Sequence, residues 1–102
     1  MKKTVIAAAI VMAGACGSAI AAGDPAAGKV KFAICAGCHG PTGAGNEALK
    51  YPKLAGRDAA FVSEQLRAFK SGARDNATMK AMTAGLSETD MDNLAAYVAT
   101  LN

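Results

Sequence analysis

The sequence predicts an all-α protein. Apolar residues return at helical spacing in three segments that each open on a capping residue, and the stretches between those segments are rich in glycine and proline. No segment alternates apolar and polar residues as a strand would, and there is no internal repeat. The chain has 102 residues, enough for one domain. Hydrophobic residues are 52% and charged residues 19% of it, which excludes a disordered, charge-rich tail.

The first segment is not part of that domain. Met1-Lys2-Lys3 precedes an apolar run from Val5 to Ala15, followed by small residues to Ala22. This is the order of a secretory signal, with Ala19-Ile20-Ala21 as its cleavage pattern and a cut expected after Ala21. The apolar run is shorter than the roughly 20 residues that span a bilayer. Residues 1–21 are therefore expected to be a signal peptide, and residues 22–102 the working domain, soluble in an exported compartment. A lipoprotein-like reading of Ala13-Gly14-Ala15-Cys16, with lipid on Cys16 as a membrane anchor, is the weaker alternative. Losing Lys2 and Lys3 leaves 9 basic residues against 8 acidic, so the formal charge of +3 drops to +1 and a nucleic-acid partner loses its support.

In the domain, Asp24-Pro25 opens a helix as N-cap and first-turn proline. Ala27, Gly28, Phe32 and Cys35 follow at helical spacing up to the Cys35–His39 stretch. Gly28 inside a helix costs about 1 kcal/mol relative to alanine, which predicts close approach by another helix. Residues 40–56 read as loop, with turn residues from Gly40 to Asn46 and an extended Tyr51-Pro52. Asp58 caps a second helix running to about Lys70, with Phe61, Val62, Leu66 and Phe69 on its apolar face and Ser71-Gly72 as its stop. Residues 73–86 read as irregular and carry Met79 and Met82. Ser87-Glu88-Thr89-Asp90 then starts the last helix like a capping box, and Leu94, Ala95, Val98 and Leu101 follow Met91 by 3, 4, 7 and 10 residues.

Cleavage removes Cys16, so Cys35 and Cys38 are the working domain's two cysteines, directly followed by its single histidine, His39. Two thiols spaced Cys-x-x-Cys and then an imidazole is the pattern of covalent haem attachment: the thiols add across the two vinyl groups as thioethers, and the ring beside them reaches the iron. A thioredoxin-like pair would follow a strand, and a structural zinc site would be one ligand short. A plain disulfide would leave His39 unexplained. Five aromatics and no tryptophan also make a thin core for about 81 residues, which a porphyrin would fill.

With these residues the chain resembles the class I c-type cytochromes, most closely the small periplasmic monohaem type and single domains of di-haem periplasmic cytochromes. The likeness covers Cys-Ala-Gly-Cys-His-Gly from Cys35, Tyr51-Pro-Lys-Leu-Ala-Gly, Gln65 to Gly72 and Leu86 to Leu101. It implies the class I cytochrome c fold, with first and last helices crossing over one covalent haem c at Gly28 and Phe32 against Leu94 and Tyr97. It also implies that the Pro52 carbonyl accepts a hydrogen bond from the second ring nitrogen of His39, which makes the ligand more basic. A methionine is the family's usual sixth ligand. It stands about eight positions before the serine or aspartate that starts the last helix, which selects Met79, eight before Ser87, over Met82, five before it. Tyr51, Lys53 and Arg74 are candidate donors to the haem propionates.

Histidine and thioether ligation leaves no open position on the metal, and no catalytic constellation accompanies it. The expected function is one-electron transfer rather than enzymatic turnover, by a monomer without a membrane anchor, between soluble or membrane-bound redox partners of a respiratory chain. A haem subunit docked in a larger redox enzyme and an open-site ligand-binding or peroxidase-like protein are the alternatives. Seven basic residues against three acidic between Lys50 and Lys80, with Glu88, Asp90 and Asp92 clustered after them, predict a dipolar molecule whose basic face steers acidic partners.

Overall fold

Asp24 begins the domain in the computed structural model, which describes residues 23–102; the signal-peptide reading and Cys16 lie outside those residues. Its carboxylate accepts from the Ala26 N–H at 3.0 Å and caps α1, Pro25–His39, with Pro25 in the first turn. Its own N–H donates to Asn93 Oδ1 at 2.8 Å, so the start of α1 is tied to the last helix. Gly40, at φ +87°, ends α1 by donating to Ala36 O.

The loop contains one 3-10 turn, Glu47–Leu49, capped by Asn46. Asn46 and Tyr51 exchange two backbone hydrogen bonds of 2.7 and 2.9 Å around it. Helix α2, Ala59–Ser71, starts at Asp58, which accepts from the Phe61 N–H at 2.8 Å, and stops at Gly72 with φ +88°.

The stretch 73–86, expected to be irregular, holds a further helix, α3, Ala77–Thr83. Seven residues are too few for a readable apolar period or for an isolated helix. Side chains hold it instead: Asn76 Oδ1 accepts from the Met79 N–H at 3.0 Å, and the buried Thr83 hydroxyl donates to Met79 O at 2.8 Å. Helix α4, Glu88–Val98, carries a closed capping box in which Ser87 and Asp90 each accept from the other's N–H at 3.0 Å.

α1 crosses α4, and α2 packs on α4 and on α3. Phe32, Val62, Leu94, Ala95 and Val98 form the buried cluster, with Cys35, Leu54, Leu66, Leu86, Tyr97 and Leu101 half-buried against it. At the crossing an ideal Cβ on Gly28 would lie 1.9 Å from the Asn93 carbonyl oxygen, so only glycine permits the approach. The Phe32 and Tyr97 rings meet there, tilted, with centroids 5.2 Å apart. Ion pairs reinforce the arrangement: Arg67 on α2 reaches both Glu88, at 2.6 Å, and Asp92, at 2.8 Å, while Lys31 on α1 approaches Asp90 at 3.6 Å. Lys70 donates to the Leu86 carbonyl just before α4.

Candidate haem site

Cys35 and Cys38 occupy the last turns of α1, three residues apart and therefore on the same face of the helix end. Neither is in a disulfide; Cys35 is half-buried and Cys38 exposed. Burial pushes the Cys35 thiol above its ordinary value, with the Cys38 charge adding to the effect against a backbone hydrogen bond that opposes it. The C-terminal end of a helix also disfavours an anion. An activated redox cysteine needs the opposite, a depressed pKa and a helix N-terminus. No group of three or more metal-holding side chains occurs among the described residues, so nothing there completes a structural zinc site.

His39, the last residue of α1, is only 7% exposed. Its Nδ1 lies 2.8 Å from the Pro52 carbonyl oxygen. A carbonyl only accepts, so Nδ1 carries the proton and Nε2 keeps the lone pair that a metal can take. Among the described residues no protein group bonds to Nε2. A buried imidazole held in one tautomer, with its second nitrogen unpartnered and two thiols within four residues, fits an axial ligand beside two thioether bonds.

The loop that carries Pro52 is tied back to the helix end. Gly45 N–H donates to His39 O at 2.8 Å, and Gly43 O accepts from Leu54 and Ala55 at 2.8 and 3.0 Å. Tyr51 comes to the same place, with its ring centroid 6.5 Å from that of His39. Its phenol is pushed above the ordinary value by a hydrogen bond with Cys38 and by that residue's charge. Lys53 follows Pro52 and is exposed. Arg74 is engaged elsewhere: its guanidinium lies 4.6 Å from the centre of the Phe69 ring and donates to Gln65. Met79 is half-buried in α3, whereas Met82, one turn on, is 44% exposed. Sequence reasoning missed Asn76 and Thr83, which grip both backbone polar groups of Met79. An asparagine three residues ahead of it, in the N-cap position, was the available signal.

An all-helical domain with this cysteine, cysteine and histidine arrangement at the end of its first helix is a class I c-type cytochrome. The chain belongs to the cytochrome c family, whose model matches residues 25–102, and the family's cofactor is covalently bound haem c. It is 40% identical over 87 residues to cytochrome c4 of Pseudomonas aeruginosa, covering 85% of this chain and 43% of that protein. Against cytochrome c-554(547) of Halothiobacillus neapolitanus it is 47% identical over 94 residues, covering 78% of this chain and 99% of the relative. The crystal structure of reduced recombinant cytochrome c4 from Pseudomonas stutzeri superposes with a TM-score of 0.69 at 33% identity, over 78% of this chain and 50% of that one. The chain thus spans half or less of the cytochrome c4 proteins it matches, and nearly all of the cytochrome c-554(547).

Proposed function

We propose that this chain is a soluble periplasmic one-electron carrier, monomeric, without a membrane anchor or enzymatic turnover of its own. Cys35 and Cys38 would hold haem c through thioethers, and His39 Nε2 and the Met79 sulfur would ligate its iron. The bound group supplies an iron that cycles between Fe(III) and Fe(II), one electron at a time. The single observation carrying this reading is the buried His39 with Nδ1 donating to Pro52 O at 2.8 Å. That bond fixes the ring and makes Nε2 a stronger donor, because the proton on Nδ1 is drawn toward the carbonyl. Met79 is preferred to Met82 on its half-burial and on its spacing from Ser87, and its backbone is held at both polar groups. With both side chains on the iron, no position would be left for a substrate, which supports transfer over catalysis.

Export is supported by Met1-Lys2-Lys3, the Val5–Ala15 run and Ala19-Ile20-Ala21, with cleavage after Ala21. No helix among the described residues is long and apolar enough to cross a membrane. The partners are redox proteins that give and take single electrons.

Absorption spectra of the oxidised and reduced holoprotein test the ligand set. The weak methionine–iron charge-transfer band at the red edge of the oxidised spectrum is expected in the wild type, lost in Met79→Ala and retained in Met82→Ala. A wild type lacking that band, whose reduced iron takes up carbon monoxide readily, overturns the carrier reading in favour of an open-site protein.

A further inference from the structure

We propose that Gly45 is a positioning residue for the histidine ligand. Its missing side chain allows the loop to press onto the Tyr51–Lys53 backbone and so sets the Pro52 carbonyl on His39. Gly45 stands at φ +75°, and an ideal Cβ there would lie 2.6 Å from Tyr51 O and 2.7 Å from both Lys53 N and Pro52 C. All three are backbone atoms, so none can swing aside as the end of a flexible side chain can. On its other side, Gly45 N–H donates to His39 O at 2.8 Å, which anchors it to the histidine's own backbone. The next residue closes the arrangement, since Asn46 and Tyr51 are paired through both backbone groups.

A methyl group at 45 therefore forces the 51–53 backbone and the Gly45 segment, itself held to His39 O, apart. The Pro52 carbonyl belongs to that 51–53 backbone. A hydrogen bond of 2.8 Å weakens steeply as distance and angle degrade, so the shift is felt at Nδ1. A weaker bond leaves the imidazole less electron-rich, which disfavours Fe(III) relative to Fe(II). The inference rests on the reading of His39 as the iron ligand.

Gly56 provides the comparison. It also has a positive φ, +86°, but a Cβ there would meet nothing within 4 Å. Gly56→Ala thus carries the backbone strain of a side chain at positive φ without the collision. His39 is the chain's single histidine, so histidine-selective ¹⁵N labelling reports one residue.

The experiment is NMR of the reduced holoprotein together with its midpoint potential. Gly45→Ala is expected to move the Nδ1–H resonance upfield, to speed its solvent exchange about fivefold or more, the worth of one weakened hydrogen bond, and to raise the potential. Gly56→Ala is expected to leave all three unchanged. An unchanged Nδ1–H signal and potential in Gly45→Ala, or equal changes in both variants, overturns the proposal. Should Gly45→Ala not retain haem, the double variant Gly45→Ala with Pro52→Gly is compared with Pro52→Gly alone, where the freed peptide can yield without unfolding. Faster exchange in the double variant supports the proposal, and equal exchange overturns it. The wild type separates this from the ligand reading: His39 ring protons without a porphyrin ring-current shift would refute ligation itself, whatever Gly45 does.

Discussion

His39 and Gly28 impose opposite demands on the same helix. His39 needs a polar neighbour at one exact atom, which the loop supplies through Pro52. Gly28 needs the absence of any atom, because α4 passes so close that a Cβ would lie 1.9 Å from Asn93 O and 2.9 Å from Tyr97 Cβ. Gly28→Ala is therefore expected to destabilise the holoprotein by about 1–3 kcal/mol or more, as an overpacked core position does, despite alanine's better helix propensity. Thermal unfolding of the two proteins checks it, and a variant as stable as the wild type would mean that the helices separate at little cost. The cysteine and histidine motif was legible in the sequence because its residues are contiguous. The packing partners of Gly28 were legible only as a resemblance, since nothing local names Asn93.

At the scale of elements, α4 shows how a sequence signal and its energetics coincide. The capping box satisfies two N–H groups at the helix start, and the Ser87 backbone N–H holds the Asp90 carboxyl below its ordinary pKa, with Lys31 adding to that effect against burial. Ser87→Ala is expected to cost about 1 kcal/mol in denaturant unfolding at neutral pH. Asp90 has a lowered folded-state pKa, so its contribution is present above the unfolded carboxyl value and is lost as pH falls through the folded one. The stability difference between wild type and Asp90→Asn should accordingly shrink as pH is lowered from about 5 to 2; a difference constant across that range would show that ionised Asp90 contributes nothing. Helices α1, α2 and α4 were readable from caps and apolar period. α3 was not, because its seven residues derive their order from Asn76, Thr83 and packing on α2 rather than from a pattern of their own.

For the whole molecule, the charge distribution differs from what residue order suggests. Glu88, Asp90 and Asp92 do not form a bare acidic end, because Arg67 from α2 and Lys31 from α1 cross over to them. Lys50, Lys53 and Arg57, in the segment that contains Pro52, are exposed and basic. Association with a negatively charged redox partner should therefore slow as ionic strength rises, and slow further in Lys53→Glu, as stopped-flow mixing over a salt series would show. A rate independent of salt in both proteins would remove this segment from the encounter.

The linear chain carries the helix starts, the glycine- and proline-marked loops and the contiguous attachment motif, because each is a property of neighbours within a few residues. What required the fold is everything that joins residues far apart. Pro52 reaches His39 across 13 positions, Arg67 is shared between two acids of another helix, and Asn93 holds Asp24, the N-cap of α1. Gly45 belongs to the same group: its sequence context reads as one turn glycine among several, and only the fold brings it against the Tyr51–Lys53 backbone. Local propensity is written in adjacent side chains, whereas close contact is decided by where two distant backbones meet.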